Sequence, residues 1–95
     1  MDSISFDWHA SKASSNKKKH GVSFEEAKTA FFDENALVIH DPEHSDDEDR
    51  FVLLGLSAVS GLLVVCHCYR KQDSVIRILS ARKATKKESF KYYGG

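Results

Sequence analysis

The chain has 95 residues, 41% hydrophobic and 29% charged, and its 14 Lys and Arg balance 14 Asp and Glu. That length fills one modest core, so residues 1–95 are read as a single domain. No run of about 18 apolar residues offers a membrane span, and the N-terminus lacks the basic-then-apolar order of a secretory signal; the expectation is a cytoplasmic protein. The zero net charge hides an asymmetry. Asp33 to Asp49 carries eight acids and no Lys or Arg, whereas Arg70 to the end carries eight bases against Asp73 and Glu88. Lys17-Lys18-Lys19 adds a second basic cluster, so one face of a neutral domain can meet a polyanion. The plainer reading of each run is solvated surface.

In chain order, Ile4, Phe6 and Trp8 alternate with Ser5, Asp7 and His9, a half-buried strand by its period of two. Ser11 is placed to cap a short helix that ends before Gly21. A second helix starts at Ser23, with Glu26 completing a capping box and Val22 and Ala27 at the staple positions. Phe24, Ala27 and Phe31 form its apolar stripe. It stops near Asp33-Glu34-Asn35, and "ALVIHD" reads as a strand. The acidic loop "DPEHSDDED" follows, where Pro42 bars regular structure and His44 is poorly placed to meet a polyanion.

"RFVLLGLSA" and "LLVVCHCYR" are strong strands joined by a turn at Ser60-Gly61, and "KQDS" turns into a last strand, "SVIRILSA". Apolar residues on both parities place these strands centrally. Thr85-Lys-Lys-Glu88 is a capping box that opens a final helix towards Tyr93, closed by Gly94-Gly95. Strands joined by short turns after two capped helices predict an α+β fold. Its sheet is expected to be curved and antiparallel, with the helices on one side and the other side open. Cys66 and Cys68 share one strand face and are read as free thiols. The "CHC" run shows too few ligands for a zinc site, and alternation sends His67 to the opposite face. The reading calls for no metal and no cofactor.

"FDWHASKASSNKKKHGVSFEEA", "HSDDEDRFVLLG" and "IRILSARKATKKE" together resemble the BrnT family of bacterial toxins from type II toxin–antitoxin systems. The resemblance runs from about Phe6 to Glu88. It implies a RelE/ParE-like fold and metal-independent endoribonuclease action that blocks translation. It also implies a BrnA-like ribbon-helix-helix antitoxin as partner, in a heterotetramer. One position departs: the family has Asp after the Trp of its first motif, and here it is His9. The expected consequence is a weaker helix cap, with Ser11 as the substitute. Two other readings stay open: a toxin of this fold that binds a protein target such as a topoisomerase without cutting RNA, and a non-catalytic RNA-binding module.

Cleaving RNA without metal uses the 2′-OH as nucleophile and needs proton transfer and fixed cations around the phosphorane. Arg suits the second task, because its planar fork matches two phosphate oxygens. Three of the four arginines, Arg50, Arg77 and Arg82, fall within or at the ends of strands, whereas lysines crowd the helices. Their plainer roles are a salt bridge of Arg50 with Glu48 or Asp49, a solvated Arg77, and an Arg82–Glu88 pair. His67 is the acid–base candidate, with a core histidine as the alternative. Lys19, His20, Lys83 and Tyr92 are candidates for RNA contact. His20 can instead neutralise a helix end, and Tyr92 can close the core. If the last hairpin is centred on Gln72, His67 opposes Arg77; a turn that shifts the sum by one sends them to opposite faces. An acidic or amphipathic antitoxin segment is expected near Arg82 and Lys83.

Overall fold

The computed structural model describes residues 4–42 and 48–94. The elements in order are β1 (Ser5–Asp7), α1 (Ala10–His20), α2 (Phe24–Thr29), a 3-10 turn (Ala30–Phe32), β2 (Leu37–Asp41), β3 (Arg50–Leu56), β4 (Leu62–Arg70), β5 (Val75–Lys83) and α3 (Lys86–Tyr93). The middle of the acidic loop, residues 43–47 with His44, lies outside the described residues, as does Gly95.

Five strands make one sheet in the order β1-β5-β4-β3-β2. Neighbours among β2 to β5 run antiparallel, but β1 pairs parallel with β5, Asp7 beside Arg77. The sheet is therefore mixed, which corrects the purely antiparallel expectation. The physical reason is that β1 sits at the edge beyond the last hairpin, so its direction is not set by a short turn.

One sheet face carries the core. Val22, Phe24, Ala27 and Ala30 pack there against Leu53, Leu63, Val65, Ile78 and Ala81. Gly55 lets β3 approach the 3-10 turn closely, since an added Cβ would meet the Ala30 carbonyl oxygen at 2.8 Å. Ser23 caps α2 through the Glu26 amide at 3.0 Å, but the Glu26 carboxylate turns away to accept from the Ser57 and Ser60 hydroxyls. The expected box is thus half made, and its acid ties α2 to the turn after β3. At α3 both halves of the Thr85–Glu88 box are present. Gly21 ends α1 at φ 72°, left-handed backbone that glycine adopts without cost.

α3 does not join α1 and α2. Glu88 and Lys91 border a groove floored by Val52, Leu54 and Val64 on the second sheet face. Tyr92 donates to Asp33, which also accepts from the Leu56 amide. The second face is therefore partly covered at this end, contrary to the expectation of a wholly open side.

Candidate functional site

The last hairpin decides which side chains can meet. Residues 71–74 form a four-residue turn that closes Arg70 on Val75. Lys71, Gln72 and Asp73 all have positive φ, between 51° and 69°. Four is an even number, so Tyr69 faces Ile76, Cys68 faces Arg77, and His67 faces Ile78. His67 and Arg77 consequently lie on opposite faces, which removes the pairing drawn from a hairpin centred on Gln72.

His67 is fully buried on the core face. Phe31 lies edge-on at 4.8 Å, and Phe51 and Tyr69 close the surroundings at 6.1 and 5.4 Å. Its Nδ1 sits 3.2 Å from the Val65 carbonyl, and Nε2 has no partner among the described residues. Burial pushes its pKa below the ordinary histidine value. An imidazole sealed from solvent on the core face does not reach a substrate on the surface, so the catalytic assignment of His67 is corrected on geometric grounds.

The arginines, by contrast, share the second face. Register aligns Asp7, Arg77, Cys68, Arg50 and Asp41 in one row across the five strands. Arg82 joins this face through an irregularity. Arg77 and Arg82 are five residues apart, and strict alternation would oppose them. A bulge between the Cys66 and His67 pairings shifts the register, so Arg82 faces Val64 on the same side as Arg77 faces Cys68.

Each arginine has company. Arg77 donates from Nε and Nη2 to both Asp7 carboxylate oxygens at 2.9 and 3.1 Å. Those bonds hold the Asp7 carboxyl below its usual range and raise the Arg77 pKa further. Arg77 Nη1 lies 3.5 Å from His9 Nε2. The imidazole beside Arg77 is thus His9. Arg82 makes a two-pronged pair with Glu88, both bonds 2.8 Å, and this holds the Glu88 carboxyl down to about 2. Its plainer expected role, tying β5 to α3, is the one the geometry displays. Lys83 is exposed at the end of β5. The Tyr92 hydroxyl is tethered to Asp33, which pushes its pKa up to about 12.

A second set of candidates comes together along α1. β1 pairs with β5 only as far as Arg77, leaving the later part of β5 beside α1. There Asn16, almost fully buried, donates from Nδ2 to the Ala81 and Val22 carbonyls at 2.8 and 3.0 Å and accepts from the Ala81 amide at 3.1 Å. Asn16 thereby acts as a surrogate strand neighbour and fixes α1 against β5. A cleft of about 350 Å³ follows this seam, lined by Ser11, Lys12, Ser15, Lys19, His20 and Ser80. Lys12, Asn16 and Lys19 fall on one side of α1 at helical spacing. Ser11 is inside the helix and faces the cleft; the cap position is His9, whose side chain makes no capping bond. Ser11 therefore does not replace the missing cap. No acid occupies the first turn of α1, and its last turn holds three lysines and His20.

Lys19 and His20 were legible as candidates for RNA contact, but their assembly with Lys12 and Ser80 depends on the seam. The signal that could have found Lys12 is its spacing of seven from Lys19. For His9, the signal was its place two residues after Asp7 on an edge strand.

A family model described as "Ribonuclease toxin, BrnT, of type II toxin-antitoxin system" matches residues 8–88. Among solved structures, the chain resembles the 1.1 Å crystal structure of the Brucella abortus ribonuclease toxin BrnT, with a TM-score of 0.63 and 19% identity. The match covers 90% of this chain and 100% of that one. No curated protein matches it in sequence.

Proposed function

The chain belongs to the BrnT family of type II toxin–antitoxin ribonuclease toxins, and from that premise we propose that it cleaves RNA without a metal ion, using the cleft between α1 and β5. The observation that carries this reading is the lining of that cleft, where Lys12, Lys19 and His20 alternate with the hydroxyls of Ser11, Ser15 and Ser80. Cations and hydroxyls along a groove suit a phosphate backbone. The His9–Arg77 pair lies at the N-terminal end of the same helix.

In this mechanism the substrate's 2′-oxygen bonds to phosphorus, the P–O5′ bond breaks, and the products are a 2′,3′-cyclic phosphate and a 5′-hydroxyl. Asp7 occupies the Nε and Nη2 edge of Arg77 and His9 Nε2 faces one Nη1 hydrogen, so the second Nη1 hydrogen remains for a phosphorane oxygen. His9 moves a proton to or from the reacting oxygens. Arg50, in the same row across the sheet, adds positive charge to that face, and Arg82 keeps α3 in place. Cutting messenger RNA in the cytoplasm would block translation. An antitoxin of BrnA type, in a heterotetramer, would silence the toxin with an acidic or amphipathic segment over the basic residues, including Lys83.

The test is incubation of purified protein with naked RNA in EDTA. The expected products end in a 2′,3′-cyclic phosphate, and His9→Ala or Arg77→Ala lowers their yield about a hundredfold. Intact RNA in EDTA, with cleavage restored by a divalent cation, would overturn the metal-free mechanism. RNA binding without cleavage in any buffer would leave a binding module.

A further inference from the structure

The edge of the sheet far from the α1–β5 cleft has no use in that mechanism. β2 is the last strand in the sheet order, and its Leu37, Val38 and Ile39 are 42%, 49% and 60% exposed. An apolar edge strand invites pairing with another chain, and proteins commonly blunt such edges with charge or proline. None of these three positions carries either. Beside them lies a groove of about 480 Å³ with Val52, Leu54 and Val64 along its floor and Lys91 at its α3 border. An extended chain paired to β2 would send alternate side chains into this groove.

The charge around the edge selects the occupant. Among the described residues, Asp33, Glu34, Asp41, Glu48 and Asp49 lie within or flank β2 in sequence, with no Lys or Arg between them. A second copy pairing through β2 would bring two such stretches together, and the like charges would oppose it. The complementary occupant is apolar at its centre and basic at its ends.

We propose that Leu37–Ile39 is the docking edge for the antitoxin, which adds a strand with an apolar centre and basic flanks and fills the groove against α3. The proposal rests on the toxin–antitoxin reading and gives the partner an anchoring contact separate from the cleft it must silence.

The experiment co-expresses the chain with the protein encoded beside it and compares amide hydrogen exchange in the complex and in the free chain. Slowed exchange at residues 37–39 on binding is expected. Ile39→Lys and the charge reversal Glu34→Lys, both at exposed positions, should each weaken binding about tenfold or more while RNA cleavage by the free chain stays unchanged. Exchange at 37–39 that is equal in both states, with affinities unchanged in both variants, overturns the docking edge. Protection that instead appears in the free chain and grows with its concentration assigns the edge to a second copy and also overturns it. If no neighbour-encoded protein binds, the toxin–antitoxin reading falls and this proposal falls with it; if one binds and leaves 37–39 exchanging freely, only the docking edge is lost.

Discussion

Removing the Asn16 side chain is the sharpest probe of the seam that builds the cleft. The amide uses both Nδ2 hydrogens and its oxygen on three backbone groups, the carbonyls of Val22 and Ala81 and the Ala81 amide. Asn16→Ala would leave all three without a protein partner. An unsatisfied buried group costs about 1–3 kcal/mol. Asn16 lines the cleft, so water can reach part of the gap and the lower end applies, about 3 kcal/mol for the three groups together. For a domain of this size each kcal/mol moves the melting temperature by about 4–8 °C, so the fall should be roughly 12–24 °C. Asn16→Asp should be worse than alanine. Its second oxygen would face two carbonyl oxygens, and a buried carboxylate without a donor is more costly than an absent side chain.

Urea unfolding of the wild type and both variants, with the slope m compared, measures this directly. A loss below about 1 kcal/mol for Asn16→Ala, or an aspartate variant as stable as the alanine one, would refute the account of Asn16 as a strand surrogate. The same samples test the link to function. If the seam sets the spacing of Lys12 and Lys19 against β5, the folded alanine variant should bind RNA more weakly than wild type at temperatures where both are fully folded.

The remaining predictions concern charge and pH. Lys12→Gln with Lys19→Gln should reduce the salt dependence of RNA binding, lowering the slope of log K against log salt by about 1.4 if each lysine meets one phosphate of a single strand; filter binding across a salt series reads this, and an unchanged slope places the RNA elsewhere. His67→Leu should leave RNA cleavage within about twofold, since the ring is sealed in the core and a uniformly folded variant keeps the cleft; a loss of a hundredfold with the fold intact would return His67 to the site. Because burial lowers the folded-state pKa of His67, the unfolded chain binds the proton more readily, so stability is lost as pH falls below about 6.5. His67→Leu should flatten that part of the pH–stability curve, and an unchanged curve would count against a neutral buried ring. Glu88, held at about 2 beside Arg82, contributes stability above its unfolded value near 4.5 and loses it as pH falls towards 2. The melting temperatures of wild type and Glu88→Gln should therefore converge across that window, and a gap that persists below pH 2 would refute the pairing as its cause.

Local signals served where one short segment carries its own reason. Thr85 and Glu88 satisfy each other across one helical turn, and Gly21 meets a left-handed backbone at the end of α1. Both depend on residues a few positions apart. β1 illustrates the opposite case. Its period of two was plain, but its parallel pairing with β5, some seventy residues later, depends on how the helices carry the chain back. Likewise, Ser11 had the chemistry of a cap, but the helix begins at Ala10 and takes Ser11 inside. Propensity named a residue type there, and packing against β5 chose the boundary.

The candidate site turned on parity, a property that no local composition encodes. "KQDS" announced a turn, but whether it holds an odd or an even number of residues decides the face of every side chain on one strand relative to the other. Three successive left-handed residues make it four long, and His67 goes to the core while Arg77 goes to the second face. The bulge then makes a further change of parity within β5. Its effect is to keep Ile78 and Ala81 on the core face and Arg77 and Arg82 on the other, a set that unbroken alternation would divide. The imidazole beside Arg77 comes from the cap position of α1, just after β1, rather than from the hairpin. Asp7 pairs with Arg77 through the parallel register, and His9 follows two residues later within 3.5 Å. The arrangement therefore depends on the edge strand as much as on β5. A change that detaches β1 would release Asp7 and His9 from Arg77 together while leaving the Asn16 seam intact.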